Sequence, residues 1–172
     1  MIEYEAENGL AIISWNMRGQ GNFWNTESTN IFSHFVKTAL EDTGISGVVI
    51  TSRNSHFHLG DDLQELMKLP DAETIMEFCT SWHQITRLIE TSSKPFVAAI
   101  NGTAVGTGLE LCLACHHRVA SNNIHARFGF PQIGYGLALR GGGTQRIPRM
   151  VGIQCANQLL LNASTMTPRE AL

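Results

Sequence analysis

The chain has 172 residues, 43% of them hydrophobic and 16% charged, enough to bury one good-sized core and typical of an ordinary globular domain. A formal net charge of -3 gives no electrostatic footprint for a phosphate-tracking surface, which usually needs clustered excess Lys and Arg, so neither nucleic acid nor an anionic membrane is an expected partner. The opening MIEYEAENG is polar and acidic where a secretory leader is basic and then apolar, and no apolar run approaches the roughly 18 residues of a membrane span. The expectation is one cytoplasmic domain over residues 1–172, its four cysteines (Cys79, Cys112, Cys115, Cys155) reduced rather than paired.

In chain order, Leu10 to Trp15 (LAIISW) reads as a strand after a glycine, and Gly47 to Ser52 (GVVITS) and Phe96 to Asn101 (FVAAIN) repeat its character. Between the first two, Ile31, Phe35 and Ala39 recur at four-residue spacing beside Phe32, Val36 and Leu40. With Asn25 or Thr26 as N-cap this is one amphipathic helix ending near Gly44. A second helix is expected from about Ala72 to Ile89, capped by Asp71, with Pro95 closing the connection to the third strand. The order is that of an α/β domain whose sheet is covered by helices. Glycines punctuate the remainder, at 102, 106 and 108, at 129, 134 and 136, and at 141 to 143, where backbone can approach a ligand closely. In the closing TMTPREAL, Thr167 as N-cap and Pro168 open a helix, and the sequence reads as cut short there.

Two cysteine and histidine patterns invite metal chemistry and are set aside. Cys112, Cys115 and His116 spell CxxCH, but they sit in the apolar run LELCLACHHRVA, where both thiols read as small core residues. His56 and His58 form an HxH pair without a third ligand at suitable spacing and read as exposed loop histidines, so no metal site is expected.

The chemistry concentrates at two strand-to-loop junctions, SHFHLGDDLQEL (Ser55 to Leu66) and NGTAVGTGLEL (Asn101 to Leu111). In each, a strand runs through a glycine-containing turn into helical pattern, which leaves unpaired backbone N–H groups at the helix start. Two such groups aimed at one point make an oxyanion hole, in which a single donor is typically worth about 3–4 kcal/mol of transition-state stabilisation. GTGLEL is not a dinucleotide fingerprint: Leu111 stands at the third glycine position, and no ribose-binding acid follows in a second βα unit.

The stretches FHLGDDLQEL, KPFVAAINGTAVGTGLELCLAC, FGFPQIGYG and GGGTQRIPRMVG, in this order and spacing, resemble the crotonase (enoyl-CoA hydratase/isomerase) superfamily along nearly the whole chain. GLAIISWNMRG and VVITSRNSHF look closest to the hydratase/isomerase modules that head multifunctional fatty-acid oxidation subunits. The resemblance implies a spiral of ββα turns whose C-terminal helical part is missing from this chain, and trimers or dimers of trimers when full length. It also implies an acyl-CoA thioester substrate with no further cofactor. Position by position it places the oxyanion-hole N–H donors at Asp61 and Thr107, with His58, Leu59, Gly60 and Gly106 around the substrate. Glu110 matches the family's first catalytic glutamate, and it is the sole charge in GTAVGTGLELCLAC.

Departures from the family pattern are informative. Gln132 in FPQIG stands where hydratases carry a second glutamate, and a glutamine orients water but cannot serve as a base at neutral pH. Leu139 and Arg140 replace a customary Pro-Gly pair beside the acyl pocket. Arg140 can pair with Glu110, meet a carboxylate on the substrate, or be an exposed loop arginine. Asp61 and Thr107 replace small residues, although their backbone N–H groups survive. One carboxylate suffices to shuttle a proton between carbons, which favours isomerisation over hydration. The alternatives are a crotonase-fold hydrolase or decarboxylase and a non-catalytic acyl-CoA-binding paralogue.

Overall fold

The hydrophobic alternation of the first fifteen residues resolves into a hairpin. In the computed structural model, which describes residues 1–17, 19 and 21–171, β1 (Ile2–Glu7) pairs antiparallel with β2 (Leu10–Trp15). The turn is Asn8-Gly9 with φ of 52° and 79°, the left-handed pair that matches the twist of a two-residue hairpin. From β2 onward, each neighbour in the sheet is parallel and reached through helix. α1 (Thr26–Glu41) leads to β3 (Gly47–Ser52), and α2 (Leu63–Leu66) with α3 (Ala72–Glu90) leads to β4 (Phe96–Ile100). Next, β5 (Ala104–Val105) and α4 (Thr107–Ala114) lead to β6 (His117–Ala120). The five-stranded sheet has the order β1-β2-β3-β4-β6. A smaller sheet of β5, β7 (Phe128–Gly129) and β8 (Thr165–Met166) lies after it in the spiral, with a 3-10 turn (Pro131–Tyr135) and helices α5 (Gly143–Val151) and α6 (Ile153–Leu161).

The expected strands and helices fall where their patterns put them. α1 starts at a capping box in which Asn25 accepts from Ser28 N while Ser28 Oγ accepts from Asn25 N, and it buries Phe32, Val36 and Ala39. α3 starts at Asp71, which accepts from Thr74 N, and it buries Trp82, Ile85 and Ile89. The Glu170 carboxylate accepts from Thr167 N and Oγ1, and residues 168–171 form a turn where a helix was expected to open; residue 172 lies outside the described residues. Among the described residues no helix is long and apolar enough to cross a membrane.

Between the sheet and helices α1 and α3 runs a column of fully buried rings. Trp15 stacks on Phe32 (5.3 Å between ring centroids) and meets Trp24 edge-on (4.6 Å), and Trp24 contacts Trp82 at 4.2 Å. His58 belongs to this column, 4.7 Å from Trp15 and 5.0 Å from Trp24, so the expectation of an exposed loop histidine is corrected. The loop turns inward because its backbone is claimed on both sides: His58 N donates to Thr103 O and Val105 N donates to His58 O, and Nδ1 accepts from Gly60 N at 3.1 Å. His56 stays half-buried outside the column, and among the described residues no cluster of three His, Cys, Asp or Glu could hold a metal.

Asn22 pins the same loop from the other side. Its Nδ2 donates to Ser52 Oγ (2.9 Å) and Phe57 O (2.9 Å), and its Oδ1 accepts from Asn54 Nδ2 (2.9 Å). Trp15 lies at the middle of the column, so Trp15→Ala leaves a large cavity. It is expected to lower unfolding stability by about 3–5 kcal/mol in urea denaturation, and a loss under about 1 kcal/mol contradicts the packing described.

Candidate active site

Residues 59 to 62 run beside residues 22 to 24. Leu59 N donates to Asn22 O, Trp24 N to Gly60 O, and Asp62 N to Trp24 O. Gly60 makes the bend at φ +95°. Its neighbour Asp61 is left with an amide N–H that finds no acceptor among the described residues. The second loop bends at Gly106 (φ +57°), the N-cap of α4, so Thr107 N is one of the helix's orphan donors.

The two loops touch. A Cβ placed on Gly60 lies 3.9 Å from Thr107 N, and one on Gly106 lies 3.5 Å from Gly60 Cα. Thr107 Oγ1 donates to Asp61 Oδ1 at 3.2 Å. Gly108 lets α4 press against this junction, because a Cβ there lies 2.7 Å from His58 O.

Glu110, in the first turn of α4, is fully buried. Its Oε2 accepts from Gly141 N and its Oε1 from Gly143 N, both at 2.8 Å. Gly143 is the first residue of α5, so the carboxylate caps a helix N-terminus. Burial raises the pKa of Glu110 above the usual carboxylate range. The two backbone hydrogen bonds and the Arg140 charge work against that rise, and the Asp61 charge adds to it. Burial and the two amide hydrogen bonds thus act on the same carboxyl in opposite directions.

Gln132 is buried in the 3-10 turn, with Oε1 3.3 Å from a Cβ placed on Gly106 and no hydrogen-bond partner among the described residues. Arg140 neither pairs with Glu110 nor lies exposed. Its Nη2 bonds Asp61 Oδ1, both side chains being about nine-tenths buried, and its guanidinium stacks over Phe78 at 4.2 Å and Trp82 at 5.8 Å. The reason is geometric: two amides hold the Glu110 carboxylate at the start of α5, and the Asp61 carboxylate, which also accepts from Thr107 Oγ1, is the one within reach of Arg140. Breaking such a buried pair by removing one partner typically costs about 3–5 kcal/mol.

The remaining expected site residues divide. Leu59 covers Gly21, and Leu139 lies against Gly143. The His58 side chain is in the core, so only its backbone borders the junction. Cys112 and Cys115 are free and buried, burial pushing the Cys115 thiol up to about 12, and His116 Nδ1 accepts from Phe96 N at 3.0 Å. This is the packing role expected of CxxCH. Sequence reading missed Phe78 and Trp82 as neighbours of Arg140, and it took the 141–143 glycines for a ligand approach when Gly141 and Gly143 bind Glu110.

A five-stranded sheet wound by helical crossovers, with two glycine-bent loops meeting beside a buried glutamate, defines a crotonase-fold chain. The family model for enoyl-CoA hydratase/isomerase matches residues 5–172, and the chain belongs to that family. It is 36% identical over 168 residues to the fatty acid oxidation complex subunit alpha of Shewanella loihica, covering 96% of this chain and 24% of that protein. It is also 36% identical over 171 residues to the crotonyl-CoA hydratase of Syntrophomonas wolfei subsp. wolfei, covering 99% of this chain and 65% of the relative. The chain thus spans about a quarter of the first relative and just under two thirds of the second. Solved enoyl-CoA hydratase structures from Geobacillus kaustophilus (TM-score 0.93, 28% identity) and Bacillus anthracis (TM-score 0.91, 27% identity) superpose on it. Each alignment covers 99% of this chain, with 64% and 66% of those chains respectively.

His58 gives the junction a pH signature. Burial, with the Arg140 charge second, lowers its pKa from 6.5 to about 3. The unfolded chain therefore binds more protons than the folded one between those values, and stability falls as pH drops through that window by about 1.4 kcal/mol per unit at most. Urea titrations from pH 7 to 4 are expected to show this slope and its reduction by about one proton in His58→Gln. An unchanged slope in the variant contradicts the assignment.

Proposed function

We propose that the chain binds an acyl-CoA thioester with its carbonyl oxygen between the Asp61 and Thr107 amides and uses Glu110 to transfer a proton at the α-carbon. The observation that carries this reading is the buried Glu110 carboxyl, biased toward protonation, beside a loop junction with two unclaimed N–H donors. When Glu110 takes the α-proton of a 3-enoyl-CoA, the electron pair moves onto the thioester oxygen as a dienolate. Returning the proton at the γ-carbon gives the 2-enoyl-CoA. The two amides stabilise the negative oxygen, and the cycle consumes nothing else, so coenzyme A is needed only as part of the substrate.

Hydration also requires a group to take a proton from water. Gln132 orients a water but cannot accept that proton, so isomerisation is the better-supported reaction. A role in fatty-acid β-oxidation accords with the names of the relatives. Gln132 and the Asp61–Arg140 pair favour one second reading, a chain that binds acyl-CoA without turning it over.

Assays with a 3-enoyl-CoA and with crotonyl-CoA separate these readings. Turnover of the 3-enoyl-CoA is expected to exceed hydration. Glu110→Gln is expected to lower turnover by about 10²- to 10⁴-fold, and Gln132→Glu to raise hydration. Unchanged turnover in Glu110→Gln removes the assigned base, and binding without turnover in the unaltered chain selects the second reading.

A further inference from the structure

Arg140 is more strongly constrained than a structural ion pair requires. Of its donors, Nη2 is taken by Asp61, while Nε and Nη1 are buried with no acceptor among the described residues. The guanidinium plane is fixed by Phe78 and Trp82 of α3 on its face and by Asp61 at one nitrogen. Its position is also specific: the next residue, Gly141, donates to Glu110, and Asp61 itself supplies one of the proposed thioester contacts.

We propose that Arg140 recognises a carboxylate on the acyl group, so that the substrate class is the mono-CoA thioester of a short dicarboxylic acid. This rests on the thioester reading above, which sets the thioester oxygen at the amide of Asp61, the residue whose carboxylate holds Arg140. A guanidinium held by stacking and by one carboxylate, with its other donors free, is arranged to bridge Asp61 and a second acidic group. An apolar acyl chain packed there leaves both buried N–H groups unsatisfied, the condition under which a site rejects the analogue lacking the polar group. Gln132 Oε1, also buried without a partner near Gly106, adds polarity to the same surroundings.

The anion that Arg140 meets has two possible sources, an acyl carboxylate and a phosphate of coenzyme A, and calorimetric titration distinguishes them. The probes are succinyl-CoA, glutaryl-CoA, butyryl-CoA and free CoA, titrated into the unaltered chain, Arg140→Gln, and the double variant Asp61→Asn with Arg140→Gln, which leaves no lone buried charge. The unaltered chain is expected to bind at least one carboxylated thioester about tenfold or more tighter than butyryl-CoA, and both variants to lose that preference. Binding of butyryl-CoA without a preference for either carboxylated thioester overturns the carboxylate inference alone. An equal loss for all four probes in both variants also overturns it, assigning Arg140 to the coenzyme or to the framework. Failure of the folded, unaltered chain to bind any thioester overturns the underlying thioester reading.

Discussion

A carboxylate with no exposure to water must be held by the protein, and the hold on Glu110 fixes the rest of the site. The amides of Gly141 and Gly143 receive it, so α4, which carries Glu110, is tied to the N-terminus of α5, which the carboxylate caps. The glycine run is a direct consequence. A Cβ on Gly141 or on Gly143 lies 2.9 Å from a Glu110 carboxylate oxygen, closer than real Cβ contacts allow, so side chains there would push the amides away. Two opposing effects meet on this carboxyl: burial favours the protonated form, and the amides and helix end favour the charged one.

The two glycine-bent loops are set by separate means that end at one place. Asn22 and the aromatic column position residues 57 to 61 from inside, while pairing of β5 with β7 and the start of α4 position residues 104 to 107. Asp61 and Arg140 then tie the first loop to the segment that supplies the Glu110 amides. A buried ion pair is a weak source of net stability, and here it leaves two arginine donors unsatisfied.

Much of this was legible in the sequence because it is local. Capped amphipathic helices and β-branched runs declare themselves within a dozen residues, and the glycine turns mark both loops. The hairpin strand Ile2–Glu7 is absent from the expected elements although IEYEAE alternates apolar and acidic residues and Asn8-Gly9 is a hairpin signal. What sequence could not give is which distant groups meet. His58 reads as a loop histidine until Trp15, Trp24 and β5 close around it, and Arg140 is open to Glu110, to a substrate carboxylate or to solvent until folding brings Asp61, Phe78 and Trp82 to it. The chemistry of each residue was readable, whereas its partner depended on long-range packing.

The central claim is that the Asp61 and Thr107 amides polarise a thioester carbonyl beside Glu110. Its most direct test is the Raman difference spectrum of a saturated acyl-CoA, carbon-13 labelled at the thioester carbonyl, bound to the chain. Two converging N–H donors are expected to lower the carbonyl stretching frequency relative to the free thioester in water. A bound thioester whose carbonyl frequency equals or exceeds the free value would contradict the account.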